Sequence, residues 1–445
     1  MTIWYRRTRM SVSGQPDVIY AYDETGSLTG LVQGSSAVSF AYDAAGRRTT
    51  SVMPNGVRVD YGYDEASRLT GVSYTKDQTT IADLAYAYDL ADNRIHASGS
   101  LSRTGLPQPI PATAYNAGNR LTQWGAQMLS YDANGNVGSD GLTTYTWDAR
   151  NQLAAISGSR TALFQYDAIG RRIAATVGAG ARAFLYDGLN VVQELEGSLP
   201  TANLLVHPDG LDEVLERTDV GGSRTPVLGG VGSVMGLVDA TGAIQTAYTY
   251  DPFGHVAATG TPATNHSQFT GREADTPDLY YYRARYYSPG LGRFISEDPI
   301  GLDGGLNVYR YVGDNPISNG DPSGTAALNL TGPLYRTYSN GTDFYNACGN
   351  PQTTNGCTHF KFEVHCPCVG DGCGRYRMDV SVNAIIAVDA NTGPSVVATA
   401  AEIFREENIH VADAVRVMAG ALFNGEMLER VRWPWKWMCD HSRPN

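Results

Sequence analysis

The sequence predicts a mostly β chain, a β-hairpin array forming a curved sheet, followed by a small α+β C-terminal domain. Three observations predict it. Fifty Gly and 27 Tyr with only 18% charged residues suit neither a helical bundle nor a coiled coil. A short aromatic phrase recurs along the first part of the chain. Composition then shifts: residues 1–324 hold 40 Gly, 23 Tyr and no Cys, whereas 325–445 hold all six Cys, four of the eight His and three of the six Trp. Hydrophobic residues make up 42% of the chain, enough for a large core, so wholesale disorder is excluded. A net charge of −12 argues against a nucleic-acid partner. No apolar run is long enough to span a bilayer as a helix. Met1-Thr-Ile-Trp-Tyr-Arg-Arg lacks the apolar core of a signal peptide, so delivery would use another system.

The recurring phrase is aromatic, any residue, Tyr-Asp, two or three residues often including Gly, then Arg or Asn. It occurs as Tyr20-Ala-Tyr22-Asp23, Phe40-Ala-Tyr42-Asp43, Tyr61-Gly-Tyr63-Asp64 and Tyr86-Ala-Tyr88-Asp89. It returns at Tyr131-Asp132, Tyr145-Thr-Trp147-Asp148, Phe164-Gln-Tyr166-Asp167, Phe184-Leu-Tyr186-Asp187 and Tyr248-Thr-Tyr250-Asp251. Aromatics at i and i+2 share one face of a strand. Asp-x-x-Gly is turn chemistry, and the Arg that follows opens the next strand. A single hairpin cannot bury its aromatic face, so neighbours should stack into one continuous sheet.

A second stretch follows the repeats. It contains Tyr280-Tyr-Tyr-Arg283-Ala-Arg285-Tyr-Tyr287, Gly292-Arg293-Phe294, Asp298-Pro-Ile-Gly301, Gly304-Gly305-Leu-Asn307-Val-Tyr309-Arg-Tyr311, Asn315-Pro316 and Asp321-Pro-Ser-Gly324. The two Asp-Pro-x-Gly motifs have two readings. Each Asp can be an ordinary turn residue. If the fold brings Asp298 and Asp321 together, they cannot both ionise at close range and become an acid and a base for activating water. A nearby arginine would then hold the charged partner.

The Tyr-Asp phrases and this second stretch together resemble the Rhs (YD-repeat) polymorphic toxins and the C components of insecticidal toxin complexes. The resemblance implies repeats at 1–270, an Rhs-associated core at 271–324 and a variable C-terminal toxin at 325–445. It implies a shell-like strip of repeats that encloses the toxin as cargo. It implies that the core is an aspartyl autoprotease, with Asp298 and Asp321 as the dyad and Arg285 as the supporting cation. Cutting would fall near Thr325–Ala326. Relatives usually carry an apolar residue such as Leu after the motif, where this chain has Thr325. The implied role is a secreted effector, delivered by a secretion-system component and matched by a cognate immunity protein.

The tail, 121 residues with 10 basic and 12 acidic side chains, is domain-sized. His359-Phe-Lys-Phe-Glu-Val-His365 and Arg375-Tyr-Arg-Met-Asp-Val-Ser-Val alternate as strands do. Pro394 to about Leu428 reads as a helix with an apolar stripe through Ile403, Val411 and Met418. On it, Glu406 and His410 stand one turn apart, Asp413 lies three residues on, and Glu407 falls within the stripe, costly for a carboxylate without a task. Glu406-Glu407-Asn-Ile-His410 resembles the His-Glu-x-x-His helix of zinc metallopeptidases, with Glu406 in place of the first His. The resemblance implies zinc held by Glu406 and His410, with Asp413, Glu426 or His441 as third ligand and Glu407 as base. A solvated acidic helix face is the plainer reading. Cys348, Cys357, Cys366, Cys368, Cys373 and Cys439 suit disulfides formed in an oxidising compartment, or a zinc cluster. Three function classes stay open: a self-cleaving toxin precursor, whose tail is this hydrolase or a nuclease; a structural or adhesion protein with a cysteine-rich cap; and an inert displaced cassette.

Overall fold

The computed structural model describes residues 6–107 and 109–325 with their side chains, and the backbone alone of Leu328–Asn329, His359–His365 and Asp379–Ile385. The chain divides into two compact units, Met1–Ser339 and Asn340–Asn445.

The repeat phrase explains the hairpin. Asp43 Oδ1 accepts hydrogen bonds from the amides of Ala45 and Arg47, both at 2.9 Å, while its Oδ2 takes Arg47 Nε at 2.6 Å. Asp64 with Arg68 and Asp167 with Arg171 repeat this, with 2.9 Å to the amide and 2.8 Å to Nε. The Asp side chain thereby organises the turn that its backbone would otherwise have to hold alone. The Arg also reaches the next unit. Arg47 lies 5.0 Å over the Tyr63 ring and donates to the Asp64 carbonyl at 3.2 Å. Arg68 does the same with Tyr88, at 5.1 Å, and with the Asp89 carbonyl, at 2.8 Å.

The second aromatic ties each unit back to the one before. Tyr42, Tyr63, Tyr88 and Tyr166 donate through their hydroxyls to the carbonyls of Leu28, Arg48, Leu69 and Leu153, at 3.0, 2.9, 2.6 and 2.8 Å. Strand register shifts at this residue in unit after unit, as between Ala41 and Tyr42 or Gly62 and Tyr63. The bulge turns the ring so that its hydroxyl meets a main-chain acceptor. The first aromatics Tyr20, Phe40, Tyr86 and Phe164 are buried, and the second ones, Tyr22, Tyr42, Tyr88 and Tyr166, half-buried against the same cores.

The strands pair antiparallel in sequence order, but the expected single sheet is broken. Nine strands run from Arg9–Met10 to Arg94–Ser98, three from Thr113–Tyr115 to Gln127–Met128, fourteen from Ser130–Tyr131 to Val256–Gly260, and four from Glu273–Thr276 to Arg293–Phe294. The first break contains Pro107, Pro109 and Pro111, which have no N–H for a strand ladder. The sheets fold onto each other. Val18, Leu31, Val59 and Leu84 of the nine-stranded sheet pack with Leu205, Leu215, Val227 and Val238 of the fourteen-stranded one. Polar links cross the same interface: Arg48 to Glu213 at 2.5 Å, and the Gly230 amide to the Tyr86 hydroxyl at 2.7 Å.

The segment after the repeats fills the remaining interior. Tyr280, Tyr282, Tyr287, Phe294 and Tyr311 form one core with Tyr248, Tyr250 and Phe269. Leu279, Tyr281, Tyr286 and Ile295 pack on strands between 121 and 191. Arg172, wholly buried, joins the two parts, paired with Asp275 and Glu273 and set 4.2 Å over the Tyr281 ring.

In the second unit His359–His365 pairs antiparallel with Asp379–Ile385, from His359 opposite Ile385 to His365 opposite Asp379. The first strand matches the expected one; of the second, Asp379–Ile385 is described as strand, and residues 375–378 lie outside the described residues. The expected helix with Glu406, Glu407, His410, Asp413 and Glu426, together with His441 and the six cysteines, lies outside the described residues. Among the described residues no helix is long and apolar enough to cross a membrane, and no three potential metal ligands cluster.

Candidate functional site: two aspartates on one arginine

Asp298, Asp321 and Arg285 come together from three separate segments. Arg285 begins the strand Arg285–Ser288, Asp298 follows the strand Arg293–Phe294, and Asp321 follows Asn319–Gly320. All three are nearly buried, at 3%, 8% and 2% exposure for Arg285, Asp298 and Asp321. Each aspartate is both the turn residue and the site residue, one oxygen serving each role. Asp298 Oδ1 accepts the Ile300 amide at 3.0 Å, and Asp321 Oδ1 accepts the amides of Gly324 and Thr325 at 2.8 and 3.1 Å and the Ser323 hydroxyl at 3.1 Å. The other oxygens converge on Arg285 Nη2, Asp298 Oδ2 at 2.7 Å and Asp321 Oδ2 at 3.5 Å. Arg285 Nη1 donates to the Val308 carbonyl at 3.0 Å, and the guanidinium carbon lies 3.6 Å from the Phe294 ring centre.

Burial sets the charge balance here. It pushes the Asp298 carboxyl up to about 6, with the charge of Asp321 adding to the rise and Arg285 and the Ile300 amide opposing it. Burial also draws the Arg285 guanidinium down, against the pull of both aspartates. A carboxyl that keeps its proton into weakly acidic pH beside a second carboxylate has the makings of an acid–base pair.

The chain leaving the core is held against this pair. Arg283 Nη1 donates to the Pro322 carbonyl, the Ala284 amide to the Ser323 carbonyl at 3.1 Å, and Arg285 Nε to the Gly324 carbonyl. The backbone of Leu328–Asn329 then pairs with Asn319–Gly320, so Thr325 lies between the two paired segments in the chain. Thr325 is described, with its amide on Asp321; Ala326 lies outside the described residues. Gly324 has φ +74°, and a Cβ there would sit 2.2 Å from the Tyr282 carbonyl. A Cβ on Gly304 would come 2.7 Å from Asp298 Oδ2. The expected dyad and cation are therefore adjacent. Phe294, Gly304 and Arg283 stood in the motif without an assigned role, and Asp212, which grips Arg283, carried no sequence signal.

Residues 49–191 match the Teneurin YD-shell family. The chain is similar to the tRNA3(Ser)-specific nuclease WapA of Bacillus spizizenii, 32% identical over 364 residues, covering 68% of this chain and 15% of that protein. It is similar to the double-stranded DNA deaminase toxin A of Burkholderia cenocepacia, 29% identical over 367 residues, covering 72% of this chain and 23% of that one. The crystal structure of TcdB2-TccC3 without its hypervariable C-terminal region shares the fold, with a TM-score of 0.57 and 21% identity over 69% of this chain and 20% of the other. The chain thus spans less than a quarter of the length of these proteins. The Tyr-Asp hairpins, the sheets they build and these similarities lead to one assignment: the repeats form a YD-shell, and the chain resembles the Rhs-type toxin proteins.

Proposed function

We propose that this chain is part of a polymorphic toxin whose core cuts itself near Thr325 and so frees the C-terminal segment as a toxic enzyme. The observation that carries this reading is the pair of buried aspartates on Arg285 beside the held exit segment. In the proposed reaction Asp321, as carboxylate, takes a proton from water, and the oxygen adds to the Thr325 carbonyl carbon. Asp298, protonated, gives its proton to the Ala326 nitrogen as the C–N bond breaks. The products are a carboxylate on Thr325 and an amine on Ala326, and Arg285 balances the charge shared by the pair.

A pH dependence follows with a definite sign. The acid is the protonated form of Asp298, present below about pH 6 and lost above it, when both carboxyls ionise. The first-order rate of fragment release should be level just below that point and fall about tenfold per pH unit above it. Rates measured by gel after a pH jump check this, and a rate that rises through pH 8 contradicts it.

The repeats, in this reading, hold the tail as cargo. The cut tail should co-elute with residues 1–325 in size-exclusion chromatography in native buffer, and free migration of the tail contradicts enclosure. Delivery would require a secretion-system component, and the producing cell an immunity protein. If the cysteines form disulfides, the place of action is an oxidising one.

For the tail itself, support comes from the Glu406-Glu407-Asn-Ile-His410 segment, whose residues would hold a zinc ion through Glu406 and His410, with Asp413, Glu426 or His441 completing the set. When bound, zinc lowers the pKa of its water toward neutrality, and Glu407 would accept that proton. Purified tail should carry stoichiometric zinc that His410→Ala loses, and Glu407→Gln should lose toxicity. The relatives are named as a tRNA nuclease and a DNA deaminase. A toxic tail without metal that cleaves tRNA or deaminates DNA would replace the peptidase reading.

A further inference from the structure

The exit segment is fixed by more than the dyad. Arg283 sits with φ +57°, a conformation few non-glycine residues adopt. Its Nη2 donates to Asp212 Oδ1 at 2.6 Å and to the Leu189 carbonyl at 3.2 Å, and its Nη1 to Asp212 Oδ2 at 3.0 Å and to the Pro322 carbonyl. Asp212 is far from the core motif in sequence. It lies on the loop between strands Leu199–Val206 and Val214–Asp219 of the fourteen-stranded sheet. The loop is itself pinned: the Asp212 amide donates to Asn190 Oδ1 at 2.9 Å, and Asn190 Nδ2 to the Gly210 carbonyl at 2.9 Å. Arg272, wholly buried and bound to the Tyr281 carbonyl, adds a second guanidinium on Asp212 at 2.6 Å.

We infer that the Asp212–Arg283 pair couples completion of the repeat sheet to self-cleavage, by fixing the guanidinium that sets the register of residues 322–324 against the dyad. The inference rests on the autoprotease reading and adds its condition: a core whose loop 207–213 is not seated has no anchor for Arg283. Without that anchor the Pro322 carbonyl is free to slide, and the bond to be cut leaves the aspartates. Bidentate pairing to a carboxylate suits this task, because it fixes the plane of the guanidinium as well as its place. Arg283 is thus a positioning residue and Asp212 the element that senses the sheet. A purely architectural ion pair would have no reason to direct a donor at the segment that is cut.

The test uses the full chain with Arg283→Gln, Arg283→Lys and Asp212→Asn. Cleavage in Arg283→Gln should slow by roughly tenfold to a hundredfold, as expected for a misplaced reacting group. The pH midpoint should stay near 6, because the dyad is intact. Arg283→Lys should recover part of the rate. In the uncut Asp298→Asn background, amide exchange at Gly324 and Thr325 should speed up in Arg283→Gln and in Asp212→Asn, while the strand Leu69–Lys76 keeps its protection. Unchanged exchange at Gly324 and Thr325, or cleavage at the parental rate, overturns the inference. So does a loss of protection throughout the chain, which marks a structural pair only. Should Arg283→Gln fail to fold, the shape-conserving Asp212→Asn decides. A parent chain that never cuts defeats the autoprotease reading, while the exchange comparison still decides the clamp.

Discussion

Replacing Asp298 or Asp321 by Asn should leave the chain full length, with self-cleavage slowed at least about 10²-fold, the usual worth of a positioned acid or base. An asparagine keeps the size of the side chain and an oxygen for the turn, so the Ile300 amide at position 298 and the Gly324 and Thr325 amides at position 321 retain an acceptor. The oxygen facing Arg285 Nη2, at 2.7 Å from Asp298 and 3.5 Å from Asp321, is what the change removes. In the proposed reaction the Asp298→Asn chain would lack the acid, and the Asp321→Asn chain the base. Folding should survive in both variants, shown by unchanged β circular dichroism. Normal cleavage in either one would mean that the bond is cut without the dyad. Gel densitometry over time reads the rate.

The largest effect on stability is expected at Arg172. Arg172→Met should lower unfolding stability by about 3–5 kcal/mol, the cost of breaking a buried ion pair and leaving its partner behind. Arg172 has no exposed surface and pairs with both Asp275 and Glu273, while its guanidinium covers the rings of Phe164, Phe184 and Tyr281. Without it Asp275 keeps Arg182 at 3.1 Å as its cation. Burial already holds the Asp275 carboxyl above its ordinary value, against Arg172 and Arg182. A raised carboxyl favours the folded state most when protonated, so the loss in Arg172→Met should shrink as pH falls. Denaturant titration of the two chains at neutral and acidic pH measures both. A difference below about 1 kcal/mol would contradict the central place given to this arginine.

What was legible in the sequence was local. The Tyr-Asp phrase carries its own turn, because Asp43 and Arg47 close it from four residues apart, and both stand within the phrase. The inward rings were legible from their spacing. The bulge that swings Tyr63 onto the Arg48 carbonyl was not, since a one-residue register shift leaves no periodic mark. Nor did the hairpin pattern say where the sheet breaks, or that Val59 and Leu215 would share one core, which is a matter of how long ribbons fold back. At the site, Asp298, Asp321 and Arg285 could be named because their stretch resembles the Rhs-associated core, whereas spacing alone favoured ordinary turn aspartates. Their meeting depends on turns that are themselves encoded by Asp-Pro-x-Gly. Phe294 under Arg285 and Gly304 beside Asp298 are contacts of shape, and shape appears only with the fold. Asp212 was beyond reach altogether, a single acidic loop residue whose partner Arg283 lies 71 residues further along the chain.

The most direct test is the intact mass of the full chain after purification and incubation near pH 5. Self-cleavage predicts that the full-length species gives way to two, one ending at Thr325 and the other beginning at Ala326, with no added protease. A shift of the cut by one bond toward the N-terminus would move the mass of one threonine residue from the first fragment to the second. A single species with the mass of all 445 residues, unchanged on incubation, would contradict the account.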